Sequence, residues 1–322
     1  MKLEYKKKLK KIMKNINSTN INPWYVTGIT DGDGSFVVSI TWDKLKDNLL
    51  NLSCWRVNLH FILTAQINKP NLIMLEEVLK YFKNLGCEGR IVSDKNVYRL
   101  RFDGFRNALI IKNNFIKYPL LTYKLVDFNL WSSILDLVLS KEHLTTKGLN
   151  QIIALKAHFK LGLSSLLISK FPNFTPIPSP EYLPNLSLIN IHWICGFINA
   201  DGCFFLGHRN TSSELGEVIH SIYIVQNGIS KIVLSAIMDF LEFGTVTQKS
   251  SAYQYGIHSL TNINKFIISF KDAEFLGAKA LDYRDFCIGI NIINNKEHKS
   301  KEGMEKVRLL INNLNAKRTR FE

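Results

Sequence analysis

The stretch Val26-Thr27-Gly28-Ile29-Thr30-Asp31-Gly32-Asp33-Gly34 occurs twice in this chain, and it returns 168 residues later as Ile194-Cys195-Gly196-Phe197-Ile198-Asn199-Ala200-Asp201-Gly202. Both copies have glycine at the third position, aspartate at the eighth and glycine at the ninth, and both lead into an apolar segment that can form a strand. The third and seventh positions are small in both copies and lie four residues apart, so they share one helix face. The repeat predicts two closely packed helices, each presenting one carboxylate to a shared site.

The composition indicates a globular protein with a polyanionic partner. A length of 322 residues with 46% hydrophobic residues suits two domains of about 150 residues each. The formal net charge is +14, which favours nucleic acid or a membrane surface as partner, although plain solubility charge is the simpler alternative. No apolar run reaches the roughly 18 residues of a membrane span, so nucleic acid is the favoured polyanion and no membrane is expected.

Cysteine usage and the N-terminus restrict the compartment. The five cysteines are odd in number and include no CxxC pair, which argues against a disulfide framework and a zinc site and favours a reducing compartment. Residues 1–20 form a basic tail with seven lysines in the first fourteen residues. The tail lacks the apolar core of a secretory signal and the Arg/Ser-rich character of a transit peptide. It is either a solvated basic segment or an accessory arm on phosphate.

The two halves predict the same order of elements: helix, strand, strand, helix, strand, strand, helix. In the first half the polar residues of segment 56–66 alternate with apolar ones, which is typical of a half-buried strand with a partly basic face. A polar loop is expected at 43–51. The predicted strands of the first half are 35–40, 56–66, 90–93 and 97–102. Those of the second half are 203–208, 218–226, 244–249 and 252–257.

Further matched marks support the duplication. Segment 119–128 resembles 274–283, which pairs Lys124 with Lys279. Seventeen residues after each of these lysines stands Lys-Glu-His, at 141–143 and 296–298. Five of the eight prolines fall between 172 and 184, which favours an extended connection. We therefore divide the chain into a tail at 1–20, a first repeat at 21–164, a Pro-rich linker at 165–188 and a second repeat at 189–322.

These paired motifs resemble those of the LAGLIDADG homing endonucleases in their single-chain, two-repeat form. The Lys-Glu-His-Leu-Thr segment at 141–145 is similar to the fungal mitochondrial, intron-encoded subgroup. The resemblance covers roughly residues 20–318, with Thr30 and Asn199 as departures from the usual motif. It implies an α+β fold of two pseudo-symmetric αββαββα repeats, each with a four-stranded antiparallel sheet, that form a saddle over DNA. The small residues Gly28, Gly32, Gly196 and Ala200 would then join the two repeats.

The resemblance also implies the chemistry of the shared site. Asp33 and Asp201 would bind Mg²⁺, with Mn²⁺ able to substitute and Ca²⁺ binding without supporting cleavage. Two such acids alone would repel, and a divalent metal between them and the scissile phosphates resolves the conflict. The plain alternative is that each aspartate merely caps a turn. The candidate metal ligands are Asp33, Asp201, Gly32 and Ala200, and the candidate catalytic residues are Asp33, Asp201, Gln66, Gln226, Lys124 and Lys279.

Gln66 and Gln226 are expected at matching strand ends, where by the resemblance they order water or contact phosphate; ordinary polarity of the DNA face is the alternative. Lys124 and Lys279 would reach the site, although a lone helical lysine more often faces solvent. DNA reading is expected from the outward sheet faces, because a twisted antiparallel ribbon fits the major groove. The candidate DNA contacts are Ser35, Val37, Ser39, Arg56, Asn58, His60, Thr64, Arg99 and Arg101 in the first half, and His208, Arg209, His220, Thr247, Lys249 and Gln254 in the second.

The predicted function is a monomeric, site-specific, Mg²⁺-dependent double-strand DNA endonuclease. The resemblance implies a long, non-palindromic target, short 3′ overhangs and an organelle-encoded, mitochondrial protein. The alternative is an intron maturase on the same fold, with the chain's own intron RNA as partner, and both activities can coexist. A DNA-binding repressor without chemistry is a third hypothesis. Both aspartates are present although splicing needs neither, so cleavage is favoured.

Overall fold

The computed structural model describes residues 21–42, 54–172, 174–175, 177–178, 180–212 and 214–315. The predicted basic tail at 1–20 and the predicted loop at 43–51 lie outside these residues. No helix in the described part of the chain combines the length and apolarity needed to cross a bilayer.

Both halves contain the predicted series of helices and strands. The first half comprises α1 (Pro23–Asp33), β1 (Gly34–Trp42), β2 (Trp55–Gln66), α2 (Lys69–Asn84), β3 (Gly89–Asp94), β4 (Val97–Asp103), α3 (Phe105–Lys117), α4 (Lys124–Leu139) and α5 (Thr146–Lys156). A short helix α6 (Ser165–Lys170) follows. The second half comprises α7 (Ile191–Asp201), β5 (Gly202–Arg209), β6 (Glu217–Asn227), α8 (Lys231–Leu241), β7 (Thr245–Lys249), β8 (Ala252–Ile257), α9 (Leu260–Ser269), α10 (Gly277–Asn294) and α11 (Lys301–Ile311).

The strands form two four-stranded antiparallel sheets with the same topology, in the orders β1-β2-β4-β3 and β5-β6-β8-β7. In the first sheet, alternate residues of β1 and β2 are buried against helices, and the residues between them face outward. Sheets of this kind, with one face packed and one open, produce the apolar-polar alternation that is visible in the sequence. The α+β fold of two αββαββα repeats is confirmed.

Helices α1 and α7 begin and end alike. Asn22 and Asn190 precede them, and the side-chain oxygens of these two residues accept hydrogen bonds from Trp24 N (2.9 Å) and Trp193 N (3.0 Å). Such N-caps satisfy backbone donors that the helix itself leaves free. Each helix passes directly into the first strand of its sheet at a glycine, so the last helical residue, an aspartate, is held at the junction of helix and sheet.

The two helices pack backbone to backbone where the small residues were predicted. A Cβ atom added to Gly28 would collide with the carbonyl oxygen of Trp193, and one added to Gly196 would collide with that of Tyr25. At Gly32 an added Cβ would collide with the Cβ of Ala200. Only small residues permit this approach, and it joins the two sheets into one molecule with a continuous core.

The Lys-Glu-His segments form the same turn in both halves. Lys141 (φ 63°) and Lys296 (φ 60°) adopt the left-handed conformation, and a single 3₁₀ turn follows each. Thr145 and Ser300 then cap α5 and α11. This conserved local geometry within one chain supports the internal duplication that the sequence spacing indicated.

Part of the predicted linker is helical. Ser165–Lys170 forms α6, which ends before the proline-rich segment 172–184 on which the prediction of an extended connection rests. Ser164 caps this helix, since its hydroxyl accepts from Leu167 N (3.3 Å). Further on, the Tyr182 hydroxyl donates to Leu121 O (2.7 Å), and His158 Nε2 bonds to Ile177 O (2.9 Å). The connection is therefore packed on the first half.

Candidate active site

The two repeated aspartates lie together at one end of the α1–α7 pair. Asp33 is the last residue of α1 and Asp201 the last residue of α7. A Cβ added to Gly32 would lie 3.1 Å from Asp201 Oδ2, so the carboxylate of one repeat reaches the backbone beside the acid of the other. Asp33 is exposed on one side and Asp201 is half-buried. Packing of the glycine faces thus brings one acid from each half to a single centre.

A lysine supports the junction of helix and strand in each half. Lys124, at the start of α4, donates from Nζ to Gly32 O (2.8 Å) and Gly34 O (2.5 Å). Lys279, near the start of α10, donates from Nζ to Gly202 O (2.6 Å). Both ammonium groups are therefore fixed by the backbone that carries the acids. Both helical lysines therefore point inward toward the ends of α1 and α7.

The charges at this centre perturb one another. Partial burial, followed by the negative charge of Asp201, raises the pKa of Asp33 to about 6, although Lys124 and Lys279 oppose the rise. Burial likewise raises the pKa of Asp201, against the hydrogen bond from Gln226 and the two lysines. Burial lowers the pKa of Lys124, and the nearby acids oppose it. Burial is thus the largest cause of all three shifts, and the opposite charges at the centre only partly offset it.

The two glutamines are not structural equivalents, and this part of the sequence prediction is wrong. Gln226 Nε2 donates to Asp201 Oδ2 (2.7 Å). Gly34 pairs with Leu63 in the first sheet and Gly202 with Ile224 in the second. This register makes Ala65, not Gln66, the counterpart of Gln226.

Gln66 is exposed, and it lines a cavity of about 420 Å³ together with Asp33, Ala65 and Lys279. The first-half acid thus has an alanine where the second-half acid has an amide donor. Gln66 itself corresponds to Asn227, because each is the last residue of its strand. Gln66 pairs with Val97, the first residue of β4, and Asn227 pairs with Ala252, the first residue of β8.

Asp31, at the sixth motif position, holds a buried network that the sequence did not reveal. Its carboxylate accepts hydrogen bonds from Leu121 N (2.9 Å) and from Thr122 N and Oγ1 (3.0 and 2.6 Å). It also accepts from Trp193 Nε1 (2.8 Å), which belongs to the other repeat. The network links α1, the entry to α4 and α7, so it fixes the segment that carries Lys124.

The second repeat has a neutral side chain, Asn199, at the sixth motif position. Asn199 Oδ1 accepts from Leu276 N (3.3 Å), and its amide lies against Met74 of the first repeat. Ala278 N donates instead to Asn71 Oδ1 of α2 (2.9 Å). The Asp31/Asn199 departure is therefore compensated by contacts across the repeats.

The donor set fits a hard divalent cation. Asp33 and Asp201 offer carboxylate oxygens, which suit Mg²⁺. In the described ranges no group of three or more His, Cys, Asp or Glu side chains is placed to hold a metal, so further ligands would be water and phosphate oxygens, as is usual for Mg²⁺. The Gly32 carbonyl oxygen, a predicted metal ligand, accepts a hydrogen bond from the Lys124 ammonium group. A metal bound to this oxygen would therefore share it with Lys124.

The outward face of the first sheet carries all nine side chains that were predicted to contact DNA there. Ser35, Val37 and Ser39 alternate with buried residues of β1, and equivalent alternation holds on β2 and β4. Within this face lie Ser35, Val37, Ser39, Arg56, Asn58, His60, Thr64, Arg99 and Arg101.

Asp103, which the sequence reading missed, organises part of this surface. It accepts from Arg101 Nε (2.6 Å) and from the ring of His60 (2.6 Å), and it pairs with Arg90 (2.7 Å). Burial alone would raise the pKa of Asp103. The hydrogen bonds from Arg101 and His60 outweigh burial and hold this pKa below its usual range. Arg90 lies opposite Arg101 in a predicted hairpin, and these two facing arginines were the available signal for an acid that pairs with them.

Two predicted contacts of the second sheet are wrong. His220 lies on the same face of β6 as the buried Ile222 and Ile224, and it pairs with buried Leu206. His208 lies on the side of Phe204 and Leu206, where its Nε2 bonds to Leu215 O (2.8 Å). Both histidines therefore face the helices. The other four candidates, Arg209, Thr247, Lys249 and Gln254, lie on the outward face.

The fold and the site together define a single-chain protein of two pseudo-symmetric repeats that share one acidic centre. The LAGLIDADG endonuclease family model matches residues 26–135 and 194–290, and the chain belongs to this family. The two repeats of the model match fall on the two structural halves described above.

Curated relatives and solved structures agree with this assignment. The chain is 31% identical over 309 residues to probable intron-encoded endonuclease 3 of Neurospora crassa and 29% identical over 308 residues to probable intron-encoded endonuclease 2 of that fungus. These alignments cover 94% and 91% of this chain but 56% and 65% of the relatives, so the chain spans less than two thirds of their length.

Among solved structures, the homing endonuclease I-SmaMI bound to cleaved DNA is 31% identical, with a TM-score of 0.84 over 92% of this chain and 98% of that one. The meganuclease I-AabMI bound to uncleaved DNA is 30% identical, with a TM-score of 0.79 over 92% and 99%. I-SmaMI has also been solved on uncleaved DNA in the presence of calcium ions.

Proposed function

We propose that this protein is a site-specific, Mg²⁺-dependent double-strand DNA endonuclease. The observation that carries the proposal is the meeting of Asp33 and Asp201 at the end of the α1–α7 pair, with Lys124 and Lys279 fixed beside them. The duplicated motif supplies one acid from each repeat, which matches one cut on each DNA strand. The DNA-bound relatives support duplex DNA as substrate.

The residues of this chain have distinct tasks in the reaction. Asp33 and Asp201 would hold the divalent metal, which when bound would relieve phosphate charge and activate water. The Lys124 and Lys279 ammonium groups stabilise the negative charge that develops on the phosphorane, and their backbone contacts keep them in place before DNA arrives. Gln226 orients the Asp201 carboxylate through its 2.7 Å hydrogen bond.

The same geometry supports the finer features of the function. The two open sheet faces carry different side chains, so a long and non-palindromic target follows from a single chain with unlike halves. Membership of the LAGLIDADG endonuclease family supports a staggered break with short 3′ overhangs. A monomer suffices because both acids come from one chain, and the fungal intron-encoded relatives support a mitochondrial location.

Cleavage selection from a randomised duplex library tests the proposal. With Mg²⁺ or Mn²⁺ we expect enrichment of one asymmetric sequence cut on both strands, and with Ca²⁺ we expect binding of that sequence without cleavage. The protein should elute as a monomer in the same buffer. If no cleaved duplex is enriched in Mg²⁺ or Mn²⁺, while selection for binding in Ca²⁺ enriches one sequence, the protein binds DNA without nuclease chemistry.

A further inference from the structure

The outward faces of the two sheets carry unlike side chains at equivalent positions. The registers match Asn58 with Ile219 and His60 with Ser221, because Gly34 and Gly202 fix the same point of each sheet. They likewise match Arg101 with Gly256, since Phe61–Phe102 and Ile222–Ile257 are equivalent pairs. At these three positions the hydrogen-bonding side chains of the first sheet are thus replaced by an isoleucine, a serine and a glycine, two of which have no hydrogen-bonding group in the side chain.

The first face is built for hydrogen bonding. Arg90 and Arg101 both contact Asp103, and His60 bridges between Asp103 and the Ser39 hydroxyl (3.2 Å from His60 Nε2). Arginine side chains held in this way present donors that suit guanine edges and phosphates.

The second face instead exposes apolar side chains at its centre. Phe205, Ile219 and Val225 are 37%, 36% and 40% exposed, although all three lie within strands. The Phe205 ring lies over Gly207, where an added Cβ would be 2.9 Å from the ring, and Gly207 pairs with Ile219. The aromatic ring and the isoleucine therefore form one patch, which we call the apolar strip. Val225 lies separately on the same face, beyond the outward-facing Ser221 and Tyr223 of β6.

Among the described residues of this face, the charged groups stand at the margins of the apolar strip. Arg209 is at the end of β5 and pairs with Glu217, and Lys249 ends β7. An exposed phenylalanine ring packed beside an exposed isoleucine is unfavourable in water and indicates a contact surface. Val225 precedes Gln226, which bonds Asp201 from the opposite face of the sheet, so Val225 lies at the end of the outward face that is nearest the acidic centre.

The occupant follows from continuity with the first face. The two faces are related by the pseudo-two-fold axis between α1 and α7, so a duplex that lies along the basic first face and passes the acid pair continues over the second. Within the major groove the apolar group on offer is the C5-methyl group of thymine. An apolar strip gains free energy by covering such methyl groups, whereas guanine and cytosine edges would lose hydrogen bonds to water there.

We propose that the second repeat reads its half-site through thymine methyl groups, which Phe205, Ile219 and Val225 cover, while the first repeat reads its half-site by hydrogen bonds. This inference rests on the proposed function, since it takes duplex DNA as the ligand. It predicts that the half-site bound by the second repeat is rich in thymine, and that the two half-sites differ in composition.

Replacement of deoxythymidine by deoxyuridine tests the proposal, because it removes only the methyl group. The target from the selection is prepared with deoxyuridine in one half-site at a time, and binding is measured in Ca²⁺. We expect about fourfold weaker binding for each covered methyl in the half-site of the second repeat, which corresponds to about 0.8 kcal/mol for one buried methyl group. In the first half-site we expect less than about a twofold change for each replacement.

Matched variants assign the effect to the strip. Phe205→Ser and Ile219→Ser should bind the unmodified target more weakly and should lose the sensitivity to deoxyuridine in that half-site. Arg101→Gln, on the other sheet, should weaken binding and keep the sensitivity. Thermal melting verifies that each variant is folded, as expected for side chains on an open face.

Two outcomes overturn the inference and leave the proposed function intact. One is cleavage of the unmodified target with no deoxyuridine effect in the second half-site. The other is a dimer in solution that Phe205→Ser converts to a monomer, which would show that the strip binds a second copy of the chain. Absence of any cleaved or bound target contradicts the proposed function itself.

Discussion

At the residue scale, the two acids of the centre differ in their support. Gln226 donates to Asp201, while Ala65 stands at the equivalent position beside Asp33 and has no side-chain hydrogen-bonding group. We predict that Gln226→Leu lowers the rate of double-strand cleavage by about 10- to 100-fold, the usual cost of removing a group that orients a metal ligand.

Single-turnover cleavage under Mg²⁺ measures this effect, and Gln66→Leu is the matched control. Gln66 is exposed and makes no described hydrogen bond through its side chain, so its loss should change the rate much less. Equal effects of the two substitutions would contradict the register that makes Ala65 the counterpart of Gln226.

The raised pKa of Asp33 predicts a pH-dependent stability of the metal-free protein. Folding raises the pKa of Asp33 to about 6, so the folded protein binds this proton more tightly than the unfolded chain does. The protonated acid therefore favours the folded state at low pH, and this contribution to stability is lost as the pH rises through the folded pKa. Asp33→Asn should therefore raise the free energy of unfolding at about pH 8, by about 1 kcal/mol after solvent screening at an exposed carboxylate.

Urea unfolding at about pH 8 and at about pH 4 checks this prediction, and the gain should vanish at the lower pH. Added Mg²⁺ should reduce the difference, because the wild-type carboxylate then has a counter-ion. A variant that is less stable than the wild type at the higher pH would show that Asp33 is not electrostatically strained.

Individual residues show which parts of the site could be predicted from the sequence. Asp33, Asp201 and the two lysines were identifiable because each occurs twice at the same spacing. The roles of Asp31 and Asp103 were not, since both depend on partners that folding brings from distant segments. Asp31 even reaches Trp193, 162 residues away.

At the element scale, the closeness of α1 and α7 depends on two glycines. We predict that Gly28→Ala or Gly196→Ala destabilises the protein by at least about 1–3 kcal/mol, the cost of overpacking a rigid interface, because the new methyl would meet backbone atoms. Thermal melting measures the loss.

Gly228→Ala is the control for this substitution. A Cβ at Gly228 has its nearest neighbours 3.8 and 3.9 Å away, so the change should be nearly neutral. If Gly28→Ala were tolerated as well as Gly228→Ala, the helix pair could not be as close as described.

The elements also explain why the sequence located the strands but mistook one register. Segment 56–66 alternates regularly, so its faces could be assigned from the residues alone. In β6 apolar residues occur on both faces, at Ile219 and Val225 as well as Ile222 and Ile224, so alternation does not define the buried side. Only pairing with β5 and β8 settles it, and His220 then faces the helices.

At the scale of the whole molecule, the repeats are joined by more than the two motif helices. Trp193 of the second repeat donates to the buried carboxylate of Asp31 in the first, and Asn71 of the first accepts from Ala278 N of the second. We predict that Trp193→Phe costs about 1–3 kcal/mol of unfolding free energy, because a buried carboxylate loses one donor.

Chemical denaturation compares this variant with Trp24→Phe. Trp24 is half-buried and packs edge-on against Tyr118 within its own repeat, so its replacement should cost less. A smaller loss for Trp193→Phe than for Trp24→Phe would argue against Asp31 as a link between the repeats.

The shared acidic centre is the property of the whole molecule on which its function depends, and it is tested by strand-resolved cleavage of the selected duplex with Asp33→Asn and Asp201→Asn. Asp136→Asn, an exposed acid paired with Lys112, is the control. We predict that each of the first two variants loses double-strand cleavage by more than about a thousandfold, since several kcal/mol of metal-dependent stabilisation disappears, and that both still bind the target in Ca²⁺. Normal double-strand cleavage by either variant would contradict the assignment of one catalytic acid to each repeat.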